Sequence, residues 1–76
     1  KNGIVSGVPE GVNVAHKFGE RSINGNMDIQ LHDCGIVYYP DRPYILCIMT
    51  RGSDFGQQEK LISELSRYVY KEVDSN

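Results

Sequence analysis

A lysine and a glycine two positions apart are the residues of this sequence whose types and spacing most clearly suggest ligand recognition. Residues 14–20 read Val-Ala-His-Lys-Phe-Gly-Glu, with Lys17 at the centre and Gly19 close behind it. Side chains of alternating character from residue 12 to residue 17 predict a β-strand. A cation on an edge strand, beside a glycine where another chain can approach, suits the recognition of an anionic, peptide-like ligand. The alternative interpretation is a solvated lysine that precedes a glycine in a bulge.

The elements that would position this lysine are three strands and one helix. Residues 1–11 hold three glycines and a proline and predict coil. Strands are predicted at about residues 12–21, 32–39 and 44–51, and a helix at about residues 55–72. Asn24, Gly25 and Asn26 predict a hairpin turn because these residues tolerate positive φ, and the prolines at 40 and 43 predict the second turn.

The closing helix carries clear start and packing signals. Ser53 or Asp54 can cap its N-terminus, and Gln57 stands three residues after Asp54 in the capping-box position. Apolar residues then recur at three- and four-residue spacing, at Leu61, Ile62, Leu65, Tyr68, Val69 and Val73. This amphipathic pattern predicts that the helix packs its apolar side against the sheet.

The predicted fold class is α+β, with a three-stranded antiparallel sheet in meander order and a C-terminal amphipathic helix on one face. The second and third strands are apolar on both faces, which is typical of a sheet that is covered on both sides. One helix covers part of one face only. We therefore expect the chain to be a fragment of a larger fold, completed by a missing N-terminal part of the same protein or by another copy of the chain.

Size and composition exclude several classes of function. With 76 residues the chain forms one domain at most, and its net charge of −2, with Lys and Arg scattered singly, excludes the basic stripe of a nucleic-acid-binding protein. No apolar run approaches the roughly 20 residues of a membrane-spanning helix. We therefore expect neither a nucleic-acid partner nor a membrane-spanning segment.

The two cysteines, Cys34 and Cys47, are predicted to be buried free thiols. If Asp41 and Arg42 form the turn, Cys34 lies opposite Met49, and the two sulfur atoms sit diagonally on one face. Their Cα atoms are then about 7–8 Å apart, which is too far for an unstrained disulfide. A register shifted by two residues would instead place the two cysteines opposite each other.

Several segments in a fixed order resemble a known family. They are Val-Pro-Glu-Gly at 8–11, the lysine strand at 14–20, His-Asp-Cys-Gly-Ile-Val-Tyr at 32–38, a further apolar strand and the closing helix. Together they resemble the C-terminal segment of the class A β-lactamase-like serine hydrolases, which are relatives of the penicillin-binding D,D-peptidases. Lys17, Phe18 and Gly19 then stand where that family has its Lys-Thr/Ser-Gly box.

The resemblance implies a function for the lysine strand. The strand would form one wall of an active site for acyl transfer on a β-lactam or D-Ala-D-Ala-type substrate, with Lys17 as the catalytic cation. Gly19 would let the substrate backbone lie close, and the backbone N–H of Glu20 would be one oxyanion-hole donor. Phe18 departs from the family's pattern, because a phenyl ring cannot donate a hydrogen bond to a substrate carboxylate. The resemblance also implies an extracytoplasmic location, in the periplasm or cell envelope.

The nucleophile that the resemblance implies is not in this sequence. The family attacks its substrate with the serine of a Ser-x-x-Lys motif, and the sequence contains no such motif. The parent protein would be a serine hydrolase, and this chain alone would lack the nucleophile. Two alternatives stay open: a non-catalytic relative that binds cell-wall peptide or a protein partner through the same strand, and a small α+β module that completes its core by oligomerising.

Asp33 is the candidate orienting partner of the lysine. If the first hairpin centres on Gly25, Lys17 pairs directly with Asp33 across the two strands. The carboxylate would then orient the ammonium group. The alternative is an ordinary cross-strand ion pair without a catalytic role.

No metal and no cofactor are predicted. His16, His32 and Cys34 are the residues that could be proposed as ligands, but their spacing fits no established zinc pattern. Packed or hydrogen-bonded histidines are the preferred interpretation.

Overall fold

The computed structural model describes residues 3–23 and 28–76. A short 3-10 helix, Gly3–Gly7, is followed by strands β1 (Val14–Ile23), β2 (Asp28–Val37) and β3 (Tyr44–Gly52) and by helix α1 (Phe55–Asp74). The strands pair antiparallel in the order β1-β2-β3. The predicted α+β fold, a three-stranded meander with a C-terminal helix, is thereby confirmed.

The bounds of the elements differ in part from those predicted. The segment expected to be coil contains the 3-10 helix, and β2 begins at Asp28 and ends at Val37, so it starts and stops earlier than expected. Helix α1 begins at Phe55 as predicted and runs on to Asp74. The hairpin turn predicted at Asn24, Gly25 and Asn26 lies outside the described residues.

The hydrophobic core lies between the sheet and α1. It consists of Leu31 and Val37 from β2, Ile48 from β3, Ile62 from α1 and Ile4 from the 3-10 helix, all of them buried. Burial alternates along β2 with a period of two, so every second side chain points into this core. The 3-10 helix and α1 together cover this one face of the sheet.

The other face of the sheet is exposed within the described part of the chain, and we call it the open face. By strand register it includes Ala15, Lys17, Gly19, Arg21, Gln30, His32, Cys34, Ile36, Ile45, Cys47, Met49 and Arg51. Two of its apolar side chains are largely exposed, Ile45 at 76% and Met49 at 65%. Strands β2 and β3, which carry apolar residues on both faces, therefore have one face packed in the core and one face whose apolar residues are exposed.

Helix α1 begins as predicted but packs through a narrower stripe. The carboxylate of Asp54 accepts a hydrogen bond from the backbone N–H of Gln57 at 3.0 Å, so Asp54 is the N-cap. The buried residues of α1 are Gln58, Ile62 and Ser66, whereas Leu61, Leu65 and Tyr68 of the predicted apolar side are exposed. The prediction that all the apolar residues pack on the sheet was wrong for these three, because the buried stripe lies at positions 58, 62 and 66.

The turn between β2 and β3 sets the alternative register, in which Cys34 lies opposite Cys47. The backbone N–H of Arg42 donates to the carbonyl of Tyr39 at 3.0 Å, and Asp41 has a positive φ of 66°. Pro40 and Asp41 are thus the central residues, in the arrangement of a type II turn. The turn centre lies one residue earlier than assumed, so Cys34 pairs with Cys47 and the register is shifted by two residues.

The cysteines form a disulfide between neighbouring strands. Cys34 and Cys47 are cross-strand partners on the open face, and both residues are exposed. The prediction of buried free thiols was therefore wrong in both respects. Its cause was the turn centre alone, because the alternative register placed the two residues opposite each other.

Contacts with the same turn fix the end of α1. The guanidinium of Arg42 donates to the carbonyl of Val73 at 3.0 Å, which satisfies one carbonyl at the C-terminus of the helix. The hydroxyl of Tyr39 donates to the carboxylate of Asp74, and this hydrogen bond raises the pKa of Tyr39 above its ordinary value. The ring of Tyr39 lies 5.6 Å from that of Tyr70 on α1.

Candidate functional site

Lys17 lies on the open face of β1, an outer strand of the sheet. Its cross-strand partner on β2 is Cys34, and the side chain is exposed. A shallow depression of about 430 Å³ beside it is lined by Lys17, Cys34, Ile36 and Ile45, among others. The lysine therefore stands at an accessible surface that has an apolar floor and a positive charge at its rim.

The backbone of β1 presents hydrogen-bonding groups along its outer edge. The N–H of Tyr38 donates to the carbonyl of Asn13 at 2.9 Å, which makes Asn13 and Tyr38 a hydrogen-bonded pair. In an antiparallel ladder such pairs alternate with pairs that make no bond to each other. The register then places Phe18 opposite Asp33 and Glu20 opposite Leu31 in the second kind of pair. The backbone N–H groups of Phe18 and Glu20 consequently point outward, along the same edge as Lys17.

The ring of His32 leaves no room for a side chain at Gly19. Gly19 is paired with His32, and a Cβ atom on Gly19 would collide with the His32 ring. The open-face side of Gly19 is thus already occupied by protein. With His32 in this position, the direct approach to Gly19 is from the strand edge, where the neighbouring backbone groups point.

Phe18 belongs to the packed side of the sheet. Its ring lies 6.4 Å from that of Phe55 in an edge-to-face arrangement, and it packs against the hydrophobic core. The side chain therefore points to the face opposite that of Lys17. Only the backbone of Phe18 lies at the outer edge of β1.

The predicted pairing of Lys17 with Asp33 was wrong. The register between β1 and β2 pairs Lys17 with Cys34 and Phe18 with Asp33, one residue away from the predicted arrangement. A shift of one residue moves a side chain to the other face of a sheet, so Asp33 points into the core while Lys17 points to the open face. Asp33 cannot orient the ammonium group directly.

Asp33 instead forms a buried junction between β1, β2 and the 3-10 helix. Its carboxylate is completely buried, with the Nδ1 atom of His16 at 2.8 Å from one oxygen and the backbone N–H of Ile4 donating to the other at 2.9 Å. Gly3, with a φ of +67°, leaves room for this contact, because a Cβ atom there would overlap the Asp33 carboxylate. The carboxylate therefore anchors the 3-10 helix to the strand that carries Lys17.

Two serines of α1 complete the attachment of the 3-10 helix. The hydroxyl of Ser66 donates to the carbonyl of Ile4 at 2.8 Å, and that of Ser63 donates to the carbonyl of Gly3 at 3.1 Å. This network was not predicted from the sequence. Ser66 stands four residues after Ile62, and a hydroxyl in line with a core residue is a signal for a buried hydrogen bond to backbone.

The histidines lie on opposite faces of the sheet. His16 is paired with Gly35 and points toward the packed side, whereas His32 lies on the open face. Within residues 3–23 and 28–76, no group of three or more His, Cys, Asp or Glu side chains is placed to hold a metal ion. Of the helices described, none combines the length and the apolar character needed to cross a membrane.

A comparison with family models gives a match over nearly the whole chain. The family described as "Beta-lactamase enzyme family" matches residues 1–73. Comparisons with curated proteins and with solved structures gave no match. The matched range includes the 3-10 helix, the three strands and most of α1, which are the elements that position Lys17.

Proposed function

The chain belongs to the beta-lactamase enzyme family, and from this membership we propose that β1 forms one wall of an acyl-transfer site. The site would be that of a serine hydrolase of the class A β-lactamase and D,D-peptidase type, acting on a β-lactam or D-Ala-D-Ala-type substrate. In it, Lys17 supplies a fixed positive charge that attracts the substrate carboxylate and holds the proton-relay group.

The observation that carries this proposal is that two groups of β1 are presented together. The ammonium of Lys17 is exposed on the open face, and the backbone N–H of Glu20 points outward from the same strand. A carbonyl oxygen that gains negative charge during acyl transfer is stabilised by such a preoriented backbone donor. Gly19 and the backbone of Phe18 complete the edge against which an extended, peptide-like substrate would lie.

The remaining parts of the site would come from outside this sequence. The nucleophilic serine and its lysine have no counterpart here, since the sequence contains no Ser-x-x-Lys motif. The open face and the exposed residues Leu61, Leu65 and Tyr68 of α1 are apolar surfaces that another part of the protein, or another copy of the chain, would cover. The third strand offers its outer edge for pairing with a further strand.

An extracytoplasmic location fits the disulfide between Cys34 and Cys47. Disulfides form and persist mainly in oxidising compartments such as the periplasm and the cell surface. The resemblance to cell-wall-acting enzymes leads to the same location by an independent route.

A non-catalytic relative that binds cell-wall peptide is the second candidate, and Phe18 favours it. Its ring packs beside Phe55 and offers no hydroxyl where the family's box has Thr or Ser. Lys17 and the outer edge of β1 would still bind an anionic peptide in the absence of acyl transfer. The two candidates differ in whether a covalent adduct forms.

Covalent labelling of the full-length natural protein with a fluorescent penicillin separates the candidates. We expect a labelled serine within a Ser-x-x-Lys motif outside this sequence, located by peptide mass spectrometry. The 76-residue chain alone should neither hydrolyse nitrocefin nor form an adduct. An adduct on a serine of this chain would overturn the assigned roles. Reversible peptide binding without an adduct in the full-length protein would favour the binding relative.

A further inference from the structure

A second concave surface lies on the packed side of the molecule, away from the open face. It is a cleft of about 400 Å³ between the end of the 3-10 helix and the C-terminal half of α1. Its lining residues are Ser6, Gly7, Val8, Pro9, Arg67, Tyr70, Lys71 and Asp74. The volume falls in the range of pockets that bind small molecules.

Two cations and one acidic residue line this cleft. Arg67 and Lys71 are four residues apart on α1, so their side chains are neighbours along one side of the helix. Both are exposed, and across residues 3–23 and 28–76 neither makes an ion pair or a hydrogen bond through its side chain. The acidic residue of the lining, Asp74, accepts a hydrogen bond from Tyr39 and keeps its negative charge, so the lining holds two cations and one anion. The cleft therefore has an excess of positive charge available to a ligand.

Three further residues of the lining give the cleft apolar walls. Val8 and Pro9 form one wall, and the ring of Tyr70 forms part of the other. The ring of Tyr39 packs on Tyr70 with their centroids 5.6 Å apart. A planar ligand group would meet a surface that needs little rearrangement, which lowers the entropic cost of binding.

From these contacts we propose that the cleft binds a small organic anion that carries an aromatic ring. The anionic group lies between Arg67 and Lys71, because a guanidinium and an ammonium together supply donors and charge for a carboxylate or phosphate. The aromatic ring lies against Tyr70 and Pro9. The site is separate from the edge of β1 and does not depend on acyl transfer.

Titration of the isotope-labelled chain with phenyl phosphate, followed by amide NMR, tests the proposal. We expect saturable shifts confined to the amides of residues 6–8 and 67–74. Inorganic phosphate carries the charge without the ring, and phenol carries the ring without a charge at neutral pH, so each should bind at least about fivefold more weakly than phenyl phosphate. Equal affinity for inorganic phosphate and phenyl phosphate would show an adventitious ion only and would overturn the proposal.

Matched charge variants locate the anion. Arg67→Gln and Lys71→Gln should each weaken binding about fivefold, the change that corresponds to one partly exposed charge contact. Lys60→Gln removes the same charge from an exposed position of α1 that lies outside the cleft, and it should leave the affinity unchanged. Equal weakening by Lys60→Gln, or shifts spread along the whole helix, would mean that the anion responds to overall charge and that the cleft is not a site.

Discussion

The Nδ1 atom of His16 lies 2.8 Å from the Oδ1 atom of Asp33, and the two residues stand on neighbouring strands of the sheet. The carboxylate is completely buried, and its other oxygen accepts a hydrogen bond from Ile4. A buried carboxylate is stable only when hydrogen bonds or opposite charge replace its hydration. This contact therefore ties the residue before Lys17 to the second strand and to the 3-10 helix.

Replacement of Asp33 should cost much more stability than replacement of an exposed acid. Asp33→Ala leaves the N–H of Ile4 buried without its acceptor, and we expect a loss of about 3 kcal/mol in the free energy of unfolding. Asp28→Ala removes the exposed ion pair with Arg51 and should cost less than about 1 kcal/mol. Urea denaturation at one protein concentration measures both, and equal losses would contradict the structural role of Asp33.

The disulfide between Cys34 and Cys47 should contribute a substantial part of the stability. The two cysteines are 13 residues apart, and closing a loop of this size restricts the unfolded chain by about 3 kcal/mol in the loop-entropy treatment. We expect a thiol assay of the unreduced, unfolded chain to find no free thiol. Reduction, or the double change to Ser, should lower the unfolding midpoint. Two titratable thiols per chain would show that the bridge does not form.

Tyr44→Phe should stabilise the protein. The hydroxyl of Tyr44 is buried and has no hydrogen-bond partner among the described residues. Removal of the unsatisfied group should raise the free energy of unfolding by about 1 kcal/mol at neutral pH. Thermal unfolding gives the comparison, with Tyr68→Phe on the exposed side of α1 as the matched control.

Tyr44 should also affect how the stability of the protein depends on alkaline pH. Burial, and then the nearby Tyr70, raise the pKa of Tyr44 above its ordinary value of 10.0, so the folded state holds the phenolic proton more tightly than the unfolded state does. Ionisation of Tyr44 therefore leaves the free energy of unfolding unchanged below pH 10 and lowers it as the pH rises from 10 through the folded-state pKa. The decline in stability above pH 10 should therefore be smaller in Tyr44→Phe, and an unchanged decline would assign it to other groups.

Phe18→Thr tests the effect of the Phe18 side chain on activity and on stability. The change restores the residue type of the family's box, but this side chain points to the packed face, so we expect no gain in activity of the full-length protein on carboxylate-bearing lactams. It also removes the ring that packs against Phe55 and the core, which should cost about 2 kcal/mol because the site is partly buried. Activity per folded molecule separates the effects. A gain in stability, or a gain in activity per folded molecule, would contradict this account of Phe18.

The fold was predictable because local patterns agreed with the global arrangement. The capping residues Asp54 and Gln57 predicted the start of α1, and the periodicity of the strands predicted the three-stranded meander. Registers were not predictable, because a turn centre displaced by one residue changes which side chains meet. The contact between Cys34 and Cys47 depended on Asp41 adopting a positive φ, which a sequence permits but does not dictate.

In the candidate site, too, some features were predictable from local pattern and others were not. Lys17 and the backbone of Glu20 lie where a strand with this alternation would place them, on the open face and along the outer edge. The role of Asp33 was not predictable, because it depends on Ile4, which is 29 residues away in the sequence, and on the register of His16. Tertiary contacts of this kind leave no periodic pattern in the chain.

Acylation kinetics of Lys17→Ala in the full-length natural protein test the central claim most directly. Loss of the fixed charge should slow labelling by fluorescent penicillin by about two to three powers of ten, since a preoriented electrostatic contact is removed. Because the side chain is exposed, the unfolding midpoint should stay unchanged, as it should in the control Lys60→Ala. Unchanged labelling with unchanged stability would identify Lys17 as a surface lysine and would contradict the assignment of β1 as a wall of the active site.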